Sequence, residues 1–152
     1  MSIHDSLYQP ATTDITSDEF FPTVSVGDFQ QLYRLHEYTE DLIESELIQA
    51  VITINGQLET FKTQVISKGY LSLAERPSTT VNGEHRDCFL YQRAVMCLAK
   101  ANVLKQYQTI FSSDKAEHVA KTNDDTYGFW LAASQRALCQ LQSELFISAE
   151  LL

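Results

Sequence analysis

Between Glu40 and Lys68 the large apolar residues Leu47, Val51, Ile54, Leu58, Phe61 and Val65 recur at steps of four, three, four, three and four. That spacing keeps side chains on one face of an α-helix, whereas a strand would alternate its faces at every residue. The ends agree with the middle. Thr39 is placed as N-cap, Glu40 and Asp41 put negative charge at the positive helix end, and Lys68-Gly69 supplies a cation and then a glycine for the C′ position. A single helix over 40–68 would be roughly 40 Å long at about 1.5 Å per residue, and the rest of the chain is expected to pack along it.

Three further helices follow from the same reasoning. Ser25-Val26-Gly27-Asp28 has the form of a capping box, with Val24 and Phe29 placed as a hydrophobic staple across it, so a short helix is expected to about Leu35. From about Cys88 to near Phe111, Leu90, Ala94, Cys97, Ala101 and Leu104 restore the four-three rhythm, and the small residues in the middle let another helix come close. Asn123 is placed to cap a last helix, with Asp124 and Asp125 in its first turn and a face of Trp130, Ala133, Ala137, Leu141 and Leu145. Between Gly69 and Asp87 the rhythm fails, and Pro77, Ser78, Thr79, Thr80, Asn82 and Gly83 signal a long loop of the kind that is usually functional or disordered.

The expected architecture is all-α: a small bundle of about four helices around one long central helix, with a long loop between the second and third helices and extended termini. Residues 1–24 read as an extended acidic arm, 25–145 as the helical domain, and 146–152 as an apolar tail, Phe146-Ile147-Ser148-Ala149-Glu150-Leu151-Leu152. Phe20 and Phe21 either tuck against the domain or meet a neighbour; the tail either folds back on its own domain or docks in another subunit.

Charge narrows the choice of partners. The net charge is −9, and residues 1–46 hold ten acids against Arg34 alone, while the remainder carries ten of each sign. Such a chain does not grip phosphates, which need clustered Lys and Arg. The acidic third is either a solvated surface or one that repels nucleic acid or meets a basic partner. Cys88, Cys97 and Cys139 are odd in number, and Cys88 and Cys97 lie half a turn out of phase on one helix, so buried free thiols in a reducing compartment are expected. Neither a secretion signal at Met1–Asp5 nor an 18-residue apolar run is visible.

Chemistry is sparse. The four histidines stand apart and Glu-x-x-His does not occur, so no metal is expected. The five glycines are isolated, which removes a phosphate-cradling loop, and no nucleophile motif is present. Neither a cofactor nor an enzymatic activity is expected; a binding or assembly role remains.

Gly69-Tyr70-Leu71-Ser72-Leu73-Ala74-Glu75-Arg76-Pro77, Val81-Asn82-Gly83-Glu84 and Tyr91-Gln92-Arg93-Ala94-Val95, at their mutual intervals, resemble the head completion (head stabilization, GPL) protein family of contractile-tailed phages. Phe20-Phe21-Pro22 and Trp130 extend the resemblance to residues 20–142. It implies a structural virion protein made in the bacterial host cytoplasm: a portal-binding adaptor of the head–tail neck that assembles as a ring, by portal symmetry of about twelve copies, after DNA packaging. Such a ring retains the genome and docks the next neck or tail terminator protein, and packaged DNA passes through it without specific binding or any membrane. On that reading Phe146, Ile147, Leu151 and Leu152 are the candidate portal contacts, Tyr8, Phe20 and Phe21 the candidate inter-subunit contacts, and Glu40, Asp41, Glu44 and Glu46 the candidate lining of the DNA channel. Arg93 is either an exposed helix charge or the partner of a loop acid, Glu84 or Asp87. The competing reading is a small acidic helical adaptor or regulator that binds a basic protein in the cytoplasm.

Overall fold

The computed structural model describes residues 9–110 and 126–150, with side chains described for 9–107 and 126–143. Five helices dominate the described residues: α1 (Val26–Leu32), α2 (Glu40–Gln57), α3 (Glu59–Ser67), α4 (Arg86–Ile110) and α5 (Tyr127–Glu150). Two antiparallel pairs of very short strands accompany them, β1 (Asp14–Ile15) with β2 (Val24–Ser25), and β3 (Thr80–Val81) with β4 (Glu84–His85). The fold is mainly α.

The apolar stripe that predicted the long helix is buried along its whole length: Leu47, Val51, Ile54, Leu58, Phe61 and Val65 are each at most 5% exposed. The helix itself is broken once. Leu58 departs from helical geometry (φ −97°, ψ 11°) and separates α2 from α3. Asn55 and Gly56, both poor helix formers, precede the break. The hydrogen-bonded path barely suffers, since Leu58 N donates to Ile54 O (3.0 Å) and Lys62 N to Leu58 O (2.8 Å), so the stripe stays on one side. Asn55 is held there by the Tyr91 hydroxyl of α4, which donates to its Oδ1 (2.6 Å).

The central element is α4, a correction to the expectation that residues 40–68 would be. α4 packs against both α2 and α5. Its buried residues, among them Leu90, Tyr91, Ala94, Val95, Cys97, Ala99, Ala101 and Val103, surround most of its circumference, whereas α2 and α3 bury one stripe. The small residues act as expected: Ser134 Oγ donates to Ala94 O (2.7 Å), a side chain-to-backbone contact that requires α4 and α5 to lie close together. Lys100, also buried, donates from Nζ to Tyr33 O at the C-terminal end of α1 (2.8 Å), the end that attracts a cation.

Local signals at the helix ends mostly hold. Ser25 Oγ accepts from Asp28 N and Thr39 Oγ1 from Leu42 N, the N-caps of α1 and α2. Gly69 (φ +99°) closes α3, with Gly69 N donating to Ile66 O and Tyr70 N to Val65 O. For α5 the cap is Thr126, whose Oγ1 accepts from Phe129 N; the expected cap Asn123 lies outside the described residues. Of the thiols, Cys97 is buried and Cys88 half-buried, but Cys139 is exposed, contrary to expectation.

The arm is the larger revision. β1 pairs with β2, and Ile15, Phe20, Phe21 and Val24 are core residues. Asp18 fixes the turn before the two Phe, accepting from Phe20 N (3.0 Å) and Phe21 N (2.9 Å) while pairing with Lys62 (2.8 Å). Burial raises the Asp18 pKa, but the Lys62 ammonium and the two amides outweigh it and hold the carboxyl below its ordinary value. Residues 14–24 are therefore part of the domain, and a boundary at 24/25 would cut through β2.

Two glycines should respond in opposite directions. A Cβ on Gly56 meets nothing, so Gly56→Ala should raise unfolding stability by about 0.5–1 kcal/mol in urea titrations. On Gly27 a Cβ would fall 2.3 Å from the Ala11 carbonyl oxygen. Gly27→Ala should therefore cost about 1–3 kcal/mol and loosen the arm.

Candidate functional site

The segment that the sequence left as a loop is built. Ser72 Oγ accepts from Glu75 N to start a 3₁₀ turn at Leu73–Glu75, and Leu73 N donates to Phe20 O (2.9 Å), tying it to the arm. Asn82 (φ 51°) and Gly83 (φ 80°) then make the two-residue turn between β3 and β4, since both positions need positive φ. His85 holds the next junction: Nδ1 accepts from Cys88 N (3.3 Å), capping α4, while Nε2 donates to Arg76 O (2.7 Å), an arrangement met by the neutral Nε2–H tautomer.

Behind this lies a buried ion cluster. Asp87, in the first turn of α4 and 1% exposed in its side chain, pairs with Arg76 (2.7 Å) and Arg86 (3.0 Å). The Arg76 guanidinium also lies over the Phe61 ring of α3 (5.4 Å). Arg86 reaches on to Gln140 O of α5 (3.1 Å). One carboxylate thus joins the loop, α3, α4 and α5. Arg93, considered as a partner for Asp87 or Glu84, is exposed, and Asp87 is taken by the two other arginines.

Next to the hairpin is a groove of about 370 Å³, lined by Asp28, Leu32 and Tyr33, Glu84 of β4, Phe89, Gln92, Arg93 and Met96 of α4, and Trp130 of α5. Leu32 is 71% exposed and Phe89 47%; Phe129, edge-on to Trp130 at 5.1 Å, is 49% exposed. Such a surface suits binding. It is poorly equipped for catalysis. Burial, with Asp87 adjacent, pushes the Cys88 thiol up to about 11, away from the reactive thiolate, and burial also raises Cys97 and Tyr33. Among the described residues no three His, Cys, Asp or Glu side chains could hold a metal ion, and no helix is long and apolar enough to cross a membrane.

The residues singled out from the sequence are not brought together. Phe20 and Phe21 are buried, with the Phe21 ring parallel to Tyr91 (4.6 Å, 8°), so both serve the chain's own core. Tyr8, Leu151 and Leu152 lie outside the described residues; Phe146 and Ile147 fall on the backbone of α5, and their side chains are not described. Glu40 and Asp41 are exposed at the start of α2 and Glu44 is half-buried, but Glu46 lies on another flank, accepts from Gln106 Nε2 of α4, and has its pKa raised by burial. The four acids do not form one face. Three features were missed: the groove, an exposed flank of α2 with Ile48 (42%) and Ile52 (61%), and the β3–β4 hairpin. The second was visible as an i, i+4 isoleucine pair off the main stripe, and the hairpin as Asn82-Gly83.

A family model described as phage head completion protein (GPL) matches residues 15–152, which takes in all five described helices, the loop with its hairpin, and the groove. The chain belongs to the GPL family. The head completion/stabilization protein of Escherichia phage P2 is 28% identical over 121 residues, covering 78% of this chain and 72% of that protein. No solved structure matches. GPL membership identifies a structural phage head protein, not an enzyme class.

Removing the carboxylate at the centre of the loop should be costly. Asp87→Ala leaves the Arg76 guanidinium buried without its acid, and chemical denaturation should show a loss of about 3 kcal/mol or more. Arg76→Met combined with Asp87→Leu should recover much of it.

Proposed function

We propose that this protein is a head–tail adaptor: copies assemble as a ring beneath the portal once DNA is packaged, close the head against loss of the genome, and present the docking surface for the next neck or tail protein. The observation that carries this reading is the GPL match across residues 15–152. Twelve copies would match portal symmetry. The fold supports the proposal by what it leaves outside. The described part of the arm is packed into the body, and the groove and the α2 flank remain to meet other chains.

Portal contact is assigned to Phe146, Ile147, Leu151 and Leu152, four large apolar residues within seven positions. The net charge of −9 suits a collar through which DNA slides, because acidic surfaces repel phosphate. Glu40 and Asp41, exposed at the head of α2, are the acids best placed to act in that way.

Size exclusion with light scattering tests the proposal, using the protein alone and mixed with the portal ring encoded in the same genome. The expected result is co-elution at one copy per portal subunit. Deleting residues 146–152 should abolish that association and leave the monomer folded, whereas a tail that packs on its own domain would lose stability when removed. Failure of the full-length protein to bind a competent portal ring would refute the proposal.

A further inference from the structure

The chain leaves α1 through a strained residue. Tyr33 caps the helix, and Arg34 after it takes the left-handed conformation (φ 54°), which lets Leu35 N donate to Gln30 O (3.0 Å). Glycine or asparagine usually fills this position, because a Cβ there crowds the carbonyl oxygen that follows. The other left-handed sites among the described residues keep to that rule: Gly69, Asn82 and Gly83. Tyr33 and Leu35 are both buried and hold the Arg34 backbone in place from either side. The fold therefore requires this conformation but not this side chain, and a glycine would meet the requirement with less strain.

Nothing in the described body accounts for the arginine. Its side chain is exposed and makes no hydrogen bond, ion pair or ring contact with any other described residue. It is also the one cation against ten acids in residues 1–46. Two positions earlier Leu32 is 71% exposed, so a single corner carries both an uncovered leucine and a strained arginine. Strain that serves no contact within the fold marks a position used for something else. We infer that Arg34 is a contact residue: its guanidinium takes a carboxylate on an unlike protein of the phage neck, while Leu32 packs against apolar surface beside that acid. One arginine suffices for this, since its planar fork gives a carboxylate two parallel hydrogen bonds, and arginine is among the residues that anchor interfaces. DNA fits worse, because phosphate binding draws on clustered cations and Arg34 stands alone in an acidic third. A second copy could offer carboxylates, but only with an equal excess of negative charge facing this one. An unlike protein avoids that repulsion.

The inference rests on the adaptor reading above, and the experiment separates the two. Arg34→Gly and Arg34→Lys are each supplied in place of the wild-type protein during phage growth, and the copies in purified heads are counted. Arg34→Gly should lower the amount in heads about tenfold or more, although the free variant unfolds at the wild-type midpoint or above it. Arg34→Lys, which keeps the charge, should lose less. Heads carrying Arg34→Lys are then treated with a carbodiimide, which joins an amine to a carboxylate it touches and leaves a guanidinium alone. The expected product, absent from wild-type heads, is this chain joined at the new amine to an acidic residue of an unlike protein. Wild-type amounts of Arg34→Gly in heads overturn the inference and leave the adaptor standing, as does the lack of any new product; wild-type protein absent from heads overturns the adaptor and the inference with it. A lowered midpoint for Arg34→Gly, or a product joined within one chain, overturns the inference by giving Arg34 to its own fold. A product joined to a second copy overturns the choice of partner. A deficit of Arg34→Gly confined to DNA-filled heads and absent from empty ones overturns it in favour of phosphate.

Discussion

The Asp87 carboxylate is the point where segments far apart in the chain are held to one another. It lies in the first turn of α4, where the positive end of the helix favours an acid, and it is buried with Arg76 from the loop and Arg86, which extends to α5. Burying ions is unfavourable unless their partners are well placed, so this cluster contributes more to where the loop lies than to how stable the chain is. Once Arg76 is fixed over Phe61, the 3₁₀ turn is in place for Leu73 to bond Phe20, and Phe20-Phe21 are carried onto Tyr91. The loop and the arm thus become ordered parts of one body.

That ordering decides what is left for partners. Loops and termini are the usual carriers of contacts in an assembling protein, yet here Phe20 and Phe21 of the arm are in the core, and the hairpin contributes Glu84 to the wall of a groove. Among the described residues, large apolar side chains are exposed at Leu32, Phe89 and Phe129 around the groove and at Ile48 and Ile52 on α2, as well as at Leu71 and Val81 of the loop. Spare surfaces on different elements are what the proposed ring subunit would need to hold like copies on either side and unlike proteins above and below.

Much of this was legible before any coordinates. Period and capping depend on local chemistry, and so the buried stripe from Leu47 to Val65, the caps at Ser25 and Thr39, and the stop at Gly69 could be read directly. The break at Leu58 was less legible, because Asn55-Gly56 weakens a helix without ending it and the outcome turned on Tyr91 holding Asn55. Asn82-Gly83 announced a hairpin that a reading by apolar rhythm passed over, the strands being only two residues long. The Arg76–Asp87 pair could not be read at all, since Arg93 and Arg86 were equally plausible cations until the chain was folded. The same holds for the groove, assembled from four elements by tertiary packing.

The most direct test is amide hydrogen exchange on the free protein, read at Leu73, Arg86 and Cys88. These amides donate to Phe20 O, Thr79 O and His85 Nδ1, respectively, and so report on the arm, the hairpin and the α4 junction. If the loop and arm are built into the body, all three should exchange orders of magnitude more slowly than an unstructured chain, and Arg86 and Cys88 should lose that protection together. Exchange at the rate of an unstructured peptide, with α2 and α4 still protected, would contradict the account: the loop would then be a free segment, and the choice of groove and α2 flank as the contact surfaces would lose its basis.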